Sequence, residues 1–227
     1  MAIKARKLKK TEMPERTALY EVRNSCDIAV EEKQDDGSLD QVILEYQLGS
    51  GDTGYFAKEY RPENVKKEGS KVIDITAVML NHDKKCVRWH LYDIKDTLAG
   101  DGTVTKLYNQ WNSGLRYLQN NILDQASAYS MAPDLGVITR CYDEERMKRL
   151  KNEYQKLCDG AEKPPEDMPL SKRKKRPDIA KCRGTLKAVQ AILDRSFQGE
   201  EKGDTYDIHI RQLVCEDDRI YKMKFSV

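Results

Sequence analysis

The chain has 227 residues, 39% of them hydrophobic and 34% charged, which is enough for one good-sized core or for one core with an appendage. Its 40 basic and 38 acidic residues leave a net charge of +2, so the overall charge by itself implies no polyanionic partner. No apolar run approaches the roughly 20 residues that cross a bilayer, no signal-peptide pattern opens the sequence, and the cysteines have no C-x-x-C spacing. We therefore expect a soluble, cytoplasmic protein with reduced thiols, no membrane partner and no structural zinc site.

The first half of the chain is typical of β-structure. A polar, basic segment over 1–16 is expected to be a mobile tail, and strands are predicted over 19–48 with a turn at 35–38. The segment 71–80, "KVIDITAVML", is almost wholly apolar and rich in β-branched residues, as interior strands are. A short polar connection leads into "CVRWHLYDIK", residues 86–95, so we predict an antiparallel hairpin of these two strands.

Helices become frequent in the second half. A long helix is predicted over 104–129, Pro133 ends that region, and a short apolar strand follows over 135–142. The next helix is opened by Asp143, because an aspartate followed by acidic residues is a typical helix start. The apolar positions at helical spacing in the first of these helices, which we expect in the core, are Leu107, Trp111, Leu115, Leu118 and Ile122.

Composition divides the chain into segments. Residues 159–177 are Pro-rich and highly charged, and we interpret them as a linker or a long surface loop. They separate a predicted core over 17–158 from a C-terminal helix and β-hairpin over 178–227, which we expect to pack on that core. The order of strands and helices predicts an α+β or mixed α/β fold with a central mixed sheet flanked by helices.

Charged residues interrupt both strands of the predicted central hairpin. Every second residue of a strand lies on the same face. One face of the second strand thus carries Val87, Trp89, Leu91, Asp93 and Lys95. His90 lies on the opposite face and is expected to be a surface or interface residue instead of a catalytic base, while Asp74 interrupts the first strand. An ionised group on a buried face is costly unless it is paired or bound to metal, and neighbouring carboxylates suit Mg²⁺, which prefers oxygen ligands.

These residues match a known pattern. Asp74, followed on the next strand by the D-x-K motif of Asp93 and Lys95, resembles the PD-(D/E)xK nuclease superfamily over about residues 70–142, with Ile73 in place of the motif's proline. The resemblance implies a restriction-endonuclease-like core in which the two aspartates hold Mg²⁺ or Mn²⁺ and the lysine assists hydrolysis of a phosphodiester. Some members of the superfamily add an upstream glutamate, and the candidates for it are Glu45, Glu59 and Glu63.

Further residues are candidates for binding nucleic acid. Related nucleases place a glutamine or lysine on the helix after the motif to contact phosphate, which makes Lys106 and Gln110 candidates, although an ordinary solvent face is the favoured interpretation of this stripe. Two basic runs, Lys4–Lys10 and Ser171–Arg176, are of the kind that attracts phosphates, or else they are a solvated tail and linker. The charged candidates in the second run are Lys172, Arg173, Lys174, Lys175 and Arg176.

The sequence thus favours a metal-dependent endonuclease or exonuclease that acts on nucleic acid, with DNA as the preferred substrate. By analogy with the family, we expect a protein partner in a restriction, repair or phage-defence assembly, and a homodimer stays open. The first alternative is a non-catalytic nucleic-acid-binding or scaffold subunit with an inactive nuclease-like fold. The second is a globular domain that binds only protein.

Overall fold

A computed structural model of the chain gives its fold. It describes residues 5–7, 19–22, 25–33, 39–50, 52–58, 73–81, 83–121, 130–162, 178–199, 204–213 and 220–226. The elements in chain order are β1 (Ala5–Lys7), β2 (Leu19–Val22), β3 (Ser25–Lys33), β4 (Leu39–Gln47), β5 (Asp52–Lys58), β6 (Ile75–Asn81), β7 (Cys86–Thr97), α1 (Asp101–Asn121), β8 (Ser130–Cys141), α2 (Glu144–Glu162), α3 (Ile179–Leu193), β9 (Ser196–Gln198), β10 (Thr205–Gln212) and β11 (Ile220–Ser226). This arrangement confirms an α+β fold built on a mixed sheet with flanking helices.

The larger sheet contains the central hairpin. Within the described ranges it has eight strands in the order β1-β2-β5-β6-β7-β8-β10-β9. β6 and β7 pair antiparallel, as the short connection between them predicts. β8 runs parallel to β7, and β10 runs parallel to β8, so the chain crosses over through α1 in the first case and through α2 and α3 in the second.

A second, three-stranded sheet packs on one face of the larger sheet. Its order is β11-β4-β3, with β11 parallel to β4. Tyr46 of β4 and Phe225 of β11 stack with ring centroids 4.9 Å apart, and both belong to a buried cluster that includes Met79 and Tyr92 of the larger sheet. The helices cover the other face of the larger sheet, so the described residues form two hydrophobic cores, one on each side of it.

Alternation along β7 assigns its residues to these two cores. Trp89 and Leu91 lie in the core beneath the helices, together with Trp111 of α1. Tyr92 and Ile94 lie in the core between the two sheets. Since every second residue of a strand shares a face, Asp93 and Lys95 are on the helix-covered face, as their spacing predicts.

Capping residues explain where two of the helices begin. The Asp143 carboxylate accepts a hydrogen bond from the Arg146 backbone N–H at 2.9 Å, so Asp143 opens α2 as predicted. Asp178 opens α3 in the same way and accepts from Ala180 N and Lys181 N. Trp111 is fully buried, as predicted for α1, and its Nε1 donates to the Gly136 carbonyl at 3.2 Å.

The helix and strand around Pro133 differ from the prediction. α1 is described only as far as Asn121, and β8 starts at Ser130, so Pro133 lies inside a strand instead of ending a helical region. Among the described residues, β7 is the strand that pairs with β8 at this point, because the pairing of β8 with β10 begins at Leu135. A strand with one neighbour tolerates proline, since the missing N–H need not interrupt a second ladder.

The predicted C-terminal hairpin is wrong. β10 pairs with β8 and β9 in the larger sheet, whereas β11 pairs with β4 in the three-stranded sheet. The physical reason is burial. Tyr206 and Ile208 of β10 pack in the core beneath the helices, while Phe225 of β11 packs between the sheets. The chain therefore changes sheets between two strands that are close in sequence.

Other segments are placed as follows. β1 lies within the predicted tail 1–16, at the edge of the larger sheet. α2 extends through Glu162, into the segment predicted as a linker, and residues 163–177 lie outside the described part of the chain. The four cysteines whose side chains are described are free thiols, namely Cys86, Cys141, Cys158 and Cys182. Among the helices described, none combines the length and the apolar character needed to span a membrane.

Candidate active site

The register of the central hairpin brings the two aspartates together. Ile75 is paired with Tyr92, so the preceding residue, Asp74, stands beside Asp93 on the neighbouring strand. Asp74 lies in a bend immediately before β6 and not inside the strand, which leaves its side chain 17% exposed, whereas that of Asp93 is fully buried. The sequence placed both residues on the hairpin but did not give its register.

Each aspartate binds the backbone of the other's strand. The Asp93 Oδ1 accepts a hydrogen bond from the Asp74 backbone N–H at 3.3 Å. In return, the Asp74 Oδ2 accepts from the backbone N–H of Ile94 at 2.8 Å. This reciprocal pair fixes the two carboxylates at the point where β6 begins beside β7, so their positions depend on the backbone and not only on side-chain rotamers.

Lys95 contacts both carboxylates. Its Nζ forms an ion pair with the Asp93 Oδ2, and it lies 3.9 Å from the Asp74 Oδ2. The same ammonium donates to the Ile94 carbonyl at 2.9 Å, and the lysine side chain is 13% exposed. The three residues that carry the D…D-x-K pattern therefore form a single cluster.

Gln110 joins this cluster from α1. It is 2% exposed, and its Nε2 donates to the Asp93 Oδ1 at 2.8 Å. Its interpretation as part of an ordinary solvent face was therefore wrong. Gly114, one turn further along α1, lies against the sheet, and a Cβ added there would come within 3.3 Å of Leu91 and 3.5 Å of Ile73. The glycine thus permits the close approach that brings Gln110 to Asp93.

A sequence signal for Gln110 does exist. On the helical wheel it lies about 60° from Leu107, on the side away from Trp111, and it borders their apolar stripe, so an inward orientation was open to it. Lys106 precedes Gln110 by one turn and is exposed, as a phosphate-binding lysine would be. The amide and the lysine therefore belong to one side of α1 but differ in burial.

Burial dominates the electrostatics of Asp93. Desolvation raises its pKa well above the usual value of a carboxyl group, and the neighbouring charge of Asp74 raises it further. The Lys95 ammonium and its hydrogen bond act in the opposite direction, and they are the smaller effect. Burial and the charge of Asp74 therefore oppose ionisation of Asp93, and the Lys95 ammonium offsets part of that effect.

The donor set suits a hard divalent cation. Asp74 and Asp93 offer carboxylate oxygens, and the partial exposure of Asp74 leaves one side of the pair open to water or to a phosphate. Mg²⁺ is commonly held by one or two protein carboxylates, with waters and substrate phosphate completing its shell. Over the described ranges, no three His, Cys, Asp or Glu side chains form a metal-binding group, so this part of the chain supplies two carboxylates.

The remaining candidates lie elsewhere or outside the described residues. Glu45 lies on β4 of the three-stranded sheet between the buried Leu44 and Tyr46, and its carboxylate lies 3.6 Å from Lys224. It therefore faces away from the larger sheet and is not a third ligand. Glu59, Glu63 and the basic residues Lys172, Arg173, Lys174, Lys175 and Arg176 are all outside the described part of the chain.

A second polar cluster, which no sequence pattern indicates, lies on the opposite face of the larger sheet. His90 was expected at the surface or at an interface, but it is buried within the chain, and its Nε2 lies 3.6 Å from the Asp134 carboxylate. His209 lies 3.5 Å from the same carboxylate, and the Tyr92 hydroxyl donates to it at 2.9 Å. The residues of this cluster come from β7, β8 and β10, so only the strand pairing could have revealed it.

No protein-family model, no curated protein and no solved structure matches this chain.

Proposed function

We propose that this chain is a metal-dependent nuclease of the PD-(D/E)xK type, which hydrolyses phosphodiester bonds in nucleic acid, with DNA as its substrate. The observation that carries the proposal is the convergence of Asp74, Asp93, Lys95 and Gln110 on one side of the larger sheet. A short D-x-K motif has little specificity, but charges that meet on a helix-covered face require a physical reason.

The order of elements around the cluster also supports the proposal. Asp74 immediately precedes β6, the D-x-K residues lie on the antiparallel β7, α1 follows, and β8 returns parallel to β7. The superfamily resemblance implies this order of strand, strand, helix and strand. We therefore propose a restriction-endonuclease-like core within the larger sheet and its helices.

The residues can be given roles from their contacts. Asp74 and Asp93 would hold Mg²⁺ or Mn²⁺, which supplies charge neutralisation and polarisation of a phosphodiester oxygen when bound. Gln110 orients Asp93 through its hydrogen bond, so it is a positioning residue. Lys95 supplies a positive charge at the partly exposed edge of the cluster, where it can bind a phosphate oxygen on which negative charge develops.

The biological setting is proposed by analogy. Nucleases of this type without an obvious recognition domain serve in restriction, repair or phage-defence assemblies, so a protein partner and a cytoplasmic location belong to the proposal. The basic run 171–176 is a candidate contact to phosphate in addition to the cluster itself.

One observation favours the non-catalytic alternative. The Lys95 ammonium neutralises Asp93 within the protein, so the charges need no external cation to be tolerated. A scaffold or binding subunit that kept an inactive site would carry the same contact. Binding of nucleic acid that weakens with salt, without cleavage in any divalent metal, is the result that this alternative predicts.

Metal-dependent cleavage tests the proposal. Supercoiled plasmid, linear duplex, single-stranded DNA and RNA are incubated with the purified protein in Mg²⁺, in Mn²⁺ and with a chelator. Cleavage of DNA is expected in the metals only, and it should be lost in Asp93→Asn and Asp74→Asn but kept in Asp83→Asn, which makes the same change at an exposed turn. A folded wild type that cuts none of these substrates, or equal cleavage by Asp93→Asn, would rule out the proposed site.

A further inference from the structure

We propose that Lys95 acts as a built-in cation that occupies the metal position until a divalent ion displaces it. This inference rests on the proposed function and concerns the control of the same site. It states that the lysine and the metal compete for the two carboxylates, and that Lys95 becomes available to a phosphate only after it has been displaced.

The contacts of the ammonium carry the first step. A cation shared by two carboxylates must lie within reach of an oxygen from each of them. The Lys95 Nζ meets this condition, since it is paired with the Asp93 Oδ2 and is 3.9 Å from the Asp74 Oδ2. Its third contact, to the Ile94 carbonyl at 2.9 Å, holds it against the strand.

The burial of Asp93 carries the second step. The carboxylate is fully buried and has Asp74 as a neighbour of the same charge, so a cation is needed nearby when no metal is present. Within the described residues, Lys95 is the cation that forms ion pairs with these two carboxylates. It therefore stabilises the metal-free protein, and it does so from the place that a metal would take.

Competition follows from charge and space. An ammonium and a divalent cation repel each other and would draw on the same two carboxylates, so binding of one would oppose binding of the other. The Lys95 side chain is 13% exposed and that of Asp74 is 17% exposed, so both border solvent, and the four-carbon stem of the lysine allows its ammonium to turn toward it. A metal in place would thus release the ammonium toward the position where a phosphate enters.

Metal affinity without substrate tests this inference. Binding of Mn²⁺ alone is measured by calorimetry, and by the electron paramagnetic resonance signal of free Mn²⁺, in the wild type, Lys95→Met and Lys106→Met. The second variant is the matched control, because it removes the same charge from an exposed position one turn from Gln110. Lys95→Gln repeats the measurement with a polar side chain, in case the methionine variant does not fold.

If Lys95 competes with the metal, Lys95→Met should bind Mn²⁺ about tenfold or more tightly than the wild type does. The reason is that the interaction between two unit charges about 4 Å apart near a protein surface changes an equilibrium constant by more than a factor of ten. Lys106→Met should change the affinity far less. The metal-free melting temperature of Lys95→Met should also fall, and Mn²⁺ should restore it.

An affinity gain no greater than that of Lys106→Met overturns the inference, and so does weaker binding or the absence of binding in both wild type and Lys95→Met. Cleavage is scored separately. A wild type that binds Mn²⁺ but cuts nothing refutes the nuclease, while the affinity ratio still decides the role of Lys95. A wild type that cuts DNA without a gain in Lys95→Met keeps the nuclease and removes the competition.

Discussion

Replacement of Asp93 by asparagine should stabilise the metal-free protein. Asp93 is fully buried, and its pKa is raised, so the environment prefers a neutral group at this position. Asparagine keeps the shape of the side chain and an oxygen that can accept from Gln110 and from the Asp74 N–H. Lys95 keeps a carboxylate partner, because Asp74 lies 3.9 Å from its ammonium.

The magnitude follows from opposing contributions. At an effective dielectric constant near 20, two unit charges separated by about 4 Å interact with an energy on the order of 4 kcal/mol, so the repulsion between the two carboxylates and the attraction of Lys95 for Asp93 are of similar size and opposite sign. These two contributions nearly cancel. The balance is then set by the cost of desolvating the carboxylate, several kcal/mol, and by its hydrogen bonds, which as bonds to a charged group contribute roughly 1.5–3 kcal/mol each. We expect Asp93→Asn to raise the free energy of unfolding by about 1 kcal/mol near pH 7, or the melting temperature by about 2–4 °C.

The sign of the pH dependence follows from linkage. The raised pKa means that the folded protein binds a proton at Asp93 more readily than the unfolded chain does. This group therefore contributes stability that is fully present below its unfolded pKa, near 4, and is lost as the pH rises through its folded pKa. The wild type should lose this contribution on going from acid toward neutral pH, whereas Asp93→Asn should not.

Urea unfolding at several pH values, with chelator and then with Mg²⁺, measures both effects. Asp83→Asn at the exposed turn is the control and should behave as the wild type. Mg²⁺ should stabilise the wild type and leave Asp93→Asn nearly unchanged, because the variant lacks one carboxylate. A loss of about 3 kcal/mol or more in metal-free Asp93→Asn would refute the reasoning, since it would mean that the interactions of the Asp93 carboxylate outweigh the cost of burying it.

Three further predictions concern other parts of the molecule. Gln110→Leu should lower metal affinity and cleavage by about 10- to 100-fold with little loss of helix content, as measured by metal titration, plasmid nicking and circular dichroism, because Asp93 loses the donor that orients it. Neutralising the basic residues of 172–176 should weaken DNA binding and reduce the slope of log K against log salt by about 0.9 for each phosphate that the protein no longer neutralises, with an unchanged melting temperature; an unaltered slope would show that the run does not bind DNA. Burial, followed by the charge of Arg211, lowers the pKa of His90 to about 3, so its contribution to stability is present above pH 6.5 and is lost as the pH falls toward 3; unfolding of His90→Gln should be less sensitive to acid over this interval, and equal sensitivity would contradict this role.

The sequence predicted more of the site than of the fold around it. The alternation of "CVRWHLYDIK" assigned Asp93 and Lys95 to the same face as Trp89 and Leu91, and the short connection predicted the hairpin with the preceding strand, in which Asp74 was expected. These are local properties, because the period of a strand and the length of a turn are determined by neighbouring residues. The register of the hairpin depends on contacts between the two strands and not on neighbouring residues, and only the register shows that the two aspartates are adjacent.

The wrong predictions share a different cause, which is that they depend on contacts between distant segments. His90, Gln110 and the C-terminal hairpin were each interpreted from their own segment, but each is buried or paired by residues from distant segments. The three-stranded sheet covers the back of β7 and buries His90 beside Tyr46, which a local pattern of polar and apolar residues does not encode. Likewise, β11 is drawn to β4 because Phe225 fills the space between the sheets.

The two faces of β7 explain why this strand can carry an ionic site at all. On one face the second sheet supplies a core of large side chains around Tyr92, and this core holds the strand in place whatever lies opposite. On the other face the apolar core ends at Leu91, and Gly114 of α1 lies against that residue. Asp93 and Lys95 come directly after it, where Gln110 faces the sheet. The packing of the strand and the chemistry of its charged residues therefore depend on different neighbours, so substitutions at Asp93 and Lys95 should affect metal binding and cleavage more than folding.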